Sequence, residues 1–183
     1  MKKLTTSIIA AALLIIAAPA GASAEAEPYE DVGPFHIFKV DSEKYCMMLS
    51  VAERTQGNFA FAIRFYPFGD HLTLLATDPE GANFNVGSIL KATVLFGNSA
   101  AVSFDDGWGE TSFEVDKMEG SRPATRTYKG NFTGEQFLND LAKNDLFGLQ
   151  IGASPGRYIY AWPLKGSKPA VDKLRECAYG LTP

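Results

Sequence analysis

From Phe35 onward the chain alternates apolar and polar positions with the period of two that belongs to strands. Phe35, Ile37 and Lys39 share one face, and His36, Phe38 and Val40 share the other. Asp41-Ser42-Glu43 reads as a turn into a second strand, Lys44 to Val51. There Tyr45, Met47, Leu49 and Val51 alternate with Cys46, Met48 and Ser50, so both faces are largely apolar and both are expected to be covered. After a turn at Gln56-Gly57-Asn58, Phe59, Phe61, Ile63 and Phe65 share a face. Ala60 and Ala62 lie opposite them and leave room for a packed helix. Further strands are expected at His71 to Thr77, within Asn83 to Phe96, and at Thr125 to Phe132. Asp78-Pro79-Glu80-Gly81 has the chemistry of a type I turn. Ala100 to Asp105 and Glu110 to Asp116 read as a hairpin around Asp106-Gly107-Trp108-Gly109.

The period then changes. Thr133-Gly134-Glu135-Gln136 has the spacing of a capping box, with Thr133 as N-cap and Gln136 reaching back. Phe137, Leu138, Leu141 and Ala142 give the following helix an apolar face, and Asn144-Asp145 ends it. Leu146 to Gly152 and Tyr158 to Leu164 read as two more strands about Ser154-Pro155-Gly156. The last element is a helix with Ser167 as N-cap and Pro169 tolerated in its first turn. Ala170, Val171, Leu174, Cys177 and Ala178 line its buried side, while Lys173, Arg175 and Glu176 face away. The expected fold is α+β and mostly antiparallel β: a sandwich or partly closed barrel, with a short helix and a C-terminal helix packed on one sheet.

Ahead of the strands, Lys2 and Lys3 precede an apolar run from Ile8 to Ala18, then Pro19 and the small-residue stretch Ala20 to Ala24. This is the make-up of a cleavable, bacterial-type signal peptide over residues 1–24, too short in its apolar part to span a bilayer. Residues 25–34, acidic with two prolines, read as a flexible lead-in, and 35–183 as a single β-rich domain. The expected destination is the periplasm or the exterior, with no transmembrane segment in the mature protein. Fifteen basic and 21 acidic residues then remain, a net charge of −6, the wrong sign for nucleic acid or anionic lipid. The two cysteines, Cys46 and Cys177, pair most simply as one disulfide in an exported protein.

Candidate chemistry is sparse. There is no Gly-x-Ser-x-Gly elbow, phosphate loop, His-Glu-x-x-His or EF-hand pattern, and no cofactor or metal site is expected. His36 and His71 read as ordinary strand or surface residues. Asp105, Asp106 and Glu110 cluster around Trp108 and two glycines. They could form a calcium loop or a sugar-contacting tip, against the plainer reading of a hairpin turn with a solvated acidic rim. Asn131-Phe132-Thr133 matches a glycosylation sequon, although Thr133 already has a use as N-cap. Tyr158, Tyr160 and Trp162 form a same-face aromatic stripe that would bind a glycan or partner strand if exposed, and would be core beneath the last helix if buried.

The closing stretch Trp162-Pro163-Leu164-Lys165-Gly166-Ser167, continuing through Ala170, Leu174 and Cys177, resembles that of small exported proteobacterial proteins. Its Leu-x-Gly step is similar to that of the invasion-associated locus B type. A looser match lies in the strand bearing Cys46, but that family's additional cysteines are missing, so no invasion role is implied. The resemblance implies a β-rich exported domain without known catalytic residues. The leading expectation is a non-enzymatic, exported binding or envelope-associated protein. It would meet a protein or glycan of the cell envelope through Trp108, Tyr158, Tyr160 and Trp162. The alternatives are an envelope-directed hydrolase using Asp105, Asp106 and Glu110, and a carrier barrel for small apolar ligands.

Overall fold

The computed structural model describes residues 25–54, 57–78, 83–98, 103–117, 125–151 and 158–182. Its strands are β1 (Glu27–Val32), β2 (Phe35–Val40), β3 (Tyr45–Arg54), β4 (Gly57–Tyr66), β5 (His71–Asp78), β6 (Ile89–Asn98), β7 (Ser103–Asp116), β8 (Arg126–Thr133), β9 (Leu146–Ile151) and β10 (Tyr158–Pro163). The helices are α1 (Gly134–Lys143) and α2 (Ser167–Tyr179). All the strands join one antiparallel sheet in the order β1-β2-β3-β4-β5-β8-β7-β6-β9-β10. The class is the expected one, built as a single open sheet with β1 and β10 at its edges.

That sheet is strongly coiled. Six inter-strand steps separate β4 from β10, which would place them roughly 29 Å apart if the sheet were flat. Yet Phe61 of β4 meets Trp162 of β10 with ring centroids 5.7 Å apart, and Phe147 of β9 at 5.3 Å. The concave side takes the inward residues of every strand from β2 to β10, among them Ile37, Met48, Leu74, Phe113, Val94 and Leu149. Helices α1 and α2 fill what remains, through Phe137, Leu138 and Leu141 of one and Val171, Leu174 and Ala178 of the other. Phe137 touches Phe132 at 4.9 Å and Phe96 at 5.3 Å. Side chains and two helices occupy the volume that a carrier barrel would leave open for its ligand.

The tail helix is held covalently as expected. Cys177, on the buried stripe of α2, is bonded to Cys46 of β3, with Cα atoms 6.1 Å apart and both residues buried. Helix α2 lies over the Cys46 face of β3, and not on the Ala60 and Ala62 side of β4 that would have left room for a helix. It lies on the Phe61, Ile63 and Phe65 side of β4, where Phe65 meets Tyr179 at 5.9 Å. The Ala62 side instead joins Val40, Tyr45, Met47 and Leu75 in a separate cluster on the convex face.

Four further expectations are corrected by the fold. Residues Glu27–Val32, read as a lead-in, form an edge strand paired with β2 from Glu27↔Lys39 to Val32↔Phe35. Both its faces are solvated, so it carries no alternation to read. The expected hairpin at Asp106 to Gly109 is a continuous strand: β7 runs through it, paired with β6. Between Thr93↔Glu110 and Leu95↔Gly107, and again between Phe96↔Asp106 and Gly97↔Phe104, β7 carries one extra residue. Bulges draw on glycine as turns do, so the two look alike in sequence.

The capping box is also replaced. Thr133 does precede α1 but makes no side-chain cap. Asp70, from the turn after β4, supplies it from a distance in sequence: its Oδ1 accepts the Glu135 N–H at 2.7 Å and its carbonyl accepts the Gly134 N–H at 2.9 Å. Gly134 allows that approach, since a Cβ there would lie 2.6 Å from the Phe65 ring and 3.0 Å from Asp70 Oδ1. Ser167 is likewise inside α2 rather than capping it, because Gly166, at φ 88°, makes the turn.

Two outcomes follow. Removing both sulfurs in a Cys46→Ala, Cys177→Ala variant should lower unfolding free energy by about 5 kcal/mol in the chain-entropy description of a loop this long. Urea titration checks this, and an unchanged midpoint would mean α2 docks without the bond. Asp70→Ala should cost about 1 kcal/mol of stability by loss of the cap. Asp70→Asn, which retains an oxygen and tolerates the φ of 42° at this position, should lose much less in the same titration.

Candidate functional site

Of the two tryptophans expected to form a binding surface, Trp162 belongs to the core and Trp108 is partly buried against it. Trp162 is 2% exposed, lies against Phe147 at 5.2 Å, and meets Phe61 edge-on. Trp108, turned inward where β7 bulges, packs on Phe132 at 5.5 Å and Phe137 at 5.3 Å. Its Nε1 donates to Asp140 Oδ2 at 2.9 Å, so its one polar group is committed to α1. Tyr158 and Tyr160 are placed by backbone register opposite Ile151 and Leu149; their side chains lie outside the described set. Of the proposed acid–base carboxylates, Asp105 and Asp106 have side chains outside it too. Glu110 stands on the solvent-exposed side of the sheet, 3.8 Å from Lys91 on β6. Among the described residues no group of three or more His, Cys, Asp or Glu could hold a metal ion. His36 pairs through Nδ1 with Asp31 at 2.8 Å across β1 and β2.

A groove that no sequence motif marks opens where the two helices meet the end of β6. It encloses about 450 Å³ and is walled by Gly97 and Asn98, by residues 142–145 at the end of α1, and by residues 164–169 leading into α2. Short local bonds build it. Asn144 closes α1 through its side-chain amide on the Asp140 carbonyl, 2.8 Å. Leu164 N–H bonds the Asp145 carbonyl at 2.8 Å, tying the exit of β10 to the same corner. Ser167 Oγ donates to the Leu141 carbonyl at 2.8 Å and fastens the start of α2 to the end of α1. Gly166 in the left-handed region then turns the chain, and α2 starts without a capping side chain. The Leu164-Lys165-Gly166-Ser167 step, which carried the sequence resemblance, is thus one wall of the groove.

The groove's charge departs from that of the whole. Lys143, Lys165 and Lys168 line it against a single carboxylate, Asp145. Lys168 is paired with Asp172 at 2.8 Å, while Lys143 and Lys165 have no ion-pair partner among the described residues. The positive end of the α2 dipole adds to the same field. An anionic group of modest size would be favoured there, held by side chains that reach rather than by a rigid cage.

At their far ends the two helices are tied together by side chains. Arg175 of α2 donates through Nε and Nη2 to Glu135 Oε2 at 3.1 and 2.8 Å, and through Nη2 to Asn139 Oδ1 at 2.8 Å. Tyr179 donates to Glu135 Oε1 at 2.5 Å. Burial alone would raise the Glu135 carboxyl, but the bonds from Arg175 and Tyr179 outweigh it and hold the pKa below its ordinary value. The same carboxylate, with burial, pushes the Tyr179 hydroxyl up to about 12.

The chain matches no protein-family model, no curated protein and no solved structure. What the fold defines is a class: one coiled antiparallel sheet wrapped on a helical pair that is stapled to it by a disulfide.

The depressed Glu135 pKa stabilises the fold above the ordinary carboxylate value of 4.5, and that contribution is lost as pH falls through the folded-state value. Glu135→Gln should therefore be less stable than wild type near neutrality, with the gap closing below pH 4.5. Tyr179 acts in the opposite sense: its raised pKa contributes below pH 10 and is lost towards pH 12. Tyr179→Phe should lack that part of the alkaline decline. Melting temperature against pH measures both, and parallel curves would contradict them.

Proposed function

We propose that this is an exported, non-enzymatic binding protein of the bacterial envelope, which takes up an anionic group in the groove between α1 and α2. The observation that carries the reading is the concentration of Lys143, Lys165 and Lys168 around one concavity in an otherwise acidic chain. Its volume lies in the range of small-ligand sites. The buried disulfide fits an oxidising compartment. Among the described residues no helix is long and apolar enough to cross a membrane. Periplasmic or secreted placement rests further on the sequence of residues 1–24, which lie outside the described residues.

Tripolyphosphate, a compact polyanion, is a direct probe. Wild type should bind it with an affinity that falls as salt rises, and Lys143→Ala, Lys165→Ala, Lys168→Ala together should weaken it at least about tenfold, ~1.4 kcal/mol. Calorimetric titration decides this, and equal affinity in the triple variant would overturn the reading. Amino-terminal sequencing of protein recovered from the periplasm or medium should begin at Glu25; an intact Met1 would overturn export by cleavage.

A further inference from the structure

The three lysines of the groove come from three places in the chain. Lys143 ends α1, Lys165 lies in the turn after β10, and Lys168 stands in the first turn of α2. All three are exposed, so each ammonium keeps its water until a ligand arrives. Each also sits on a flexible four-carbon stem. Asp145 is the groove's own carboxylate.

The short, fixed donors that would hold a compact oxyanion are engaged within the protein. Ser167 is buried, and both its Oγ and its N–H donate to carbonyls, those of Leu141 and Leu164, each at 2.8 Å. Asn144 places its side-chain amide and its backbone N–H on the Asp140 carbonyl, at 2.8 and 3.2 Å. The Leu164 N–H is bonded to the Asp145 carbonyl. Pro169, in the first turn of α2, has no N–H to give. A tetrahedral anion is held by shape where several backbone or hydroxyl donors converge on it. Here those groups bond the fold instead. The attraction that remains is charge on mobile stems, which has little directionality and grows with the number of charges a ligand presents.

Lys168 shows how loosely that charge is held. Its Nζ is 2.8 Å from Asp172 Oδ2, one turn further along α2, in a pair open to solvent. Asp172 Oδ1 also stands 3.8 Å from Arg175 Nη1, so it keeps a cation beside it when Lys168 swings towards a ligand. Exposed pairs of this kind are weak. Asp172 is therefore a counter-ion that an incoming anion can displace.

We propose that the groove selects a flexible linear polyanion by its number of charges, phosphate or carboxylate alike. Lys143, Lys165 and Lys168 each meet a different acidic group, and Asp172 competes with the ligand for Lys168. This specificity rests on the reading that the groove takes an anion, and adds that a single phosphate is not recognised by shape.

Calorimetric titration of the purified protein at fixed ionic strength and mildly alkaline pH tests it, with orthophosphate, pyrophosphate, tripolyphosphate and tricarballylate as probes. Affinity should rise roughly two- to fivefold with each added phosphate. Tricarballylate, a flexible tricarboxylate, should bind within about threefold of pyrophosphate, whose charge it shares. Lys143→Ala, Lys165→Ala and Lys168→Ala should each weaken tripolyphosphate by roughly two- to fivefold, and Asp172→Asn should tighten it by about twofold. All four substitutions are at exposed positions, and the gain expected of Asp172→Asn is one that misfolding could not produce. Orthophosphate binding as tightly as tripolyphosphate, or pyrophosphate exceeding tricarballylate by more than about threefold, would reveal a shaped phosphate site. Either result would overturn selection by charge while leaving the anion groove intact. So would one lysine variant abolishing binding while the other two leave it unchanged, or Asp172→Asn failing to tighten it. Binding of none of the four probes by wild type at millimolar concentration would overturn the groove reading itself, and this specificity with it.

Discussion

A coiled sheet of this width has a concave side too large for its own side chains to close, and that constraint organises the molecule. The filling comes from the last third of the chain: α1 arrives after β8, and α2 after every strand has been made. Helix α2 then returns to the first strands, seating on β2 and β3 and meeting β1, so the first and last described elements share one core. The bond between Cys46 and Cys177 spans 131 positions and makes that return permanent. Contacts of such sequence separation are formed late and at high entropic cost. The disulfide therefore acts where the fold is most exposed to loss, at the docking of its final element.

The alternation of apolar positions revealed most of the strands, because each inner face is buried and a slip of one residue would expose it. It also placed Cys177 on the inward stripe of the last helix. What it missed has a common cause. Glu27–Val32 is solvated on both faces, so its strand character comes from the ladder with β2, which no local pattern reports. The extra residues of β7 break the period at Trp108, and a broken period beside two glycines looks like a turn. Asp70 caps α1 across 65 positions, a relation that a box motif four residues long cannot contain.

The candidate site shows the same limit more sharply. Aromatic residues drew attention first, yet Trp162 and Trp108 are where a coiled sheet needs bulk: at the contact of β10 with β4, and beneath α1. Lysines 143, 165 and 168 are unremarked in sequence because two different elements bring them to one groove.

The distribution of charge completes the argument. The acidic excess is spent partly at the β1 edge, where Glu27, Glu30 and Asp31 are exposed. Lys173 bridges Glu30 at 3.2 Å and Glu176 at 2.8 Å, and Tyr29 reaches Glu176 at 3.3 Å, binding the edge strand to α2. A charged edge resists pairing with another sheet, and the ties to α2 keep it in place. At the other edge β10 ends in Pro163, which offers no N–H to a neighbour. Among the described residues Lys143 and Lys165, which line the groove between α1 and α2, have no ion-pair partner.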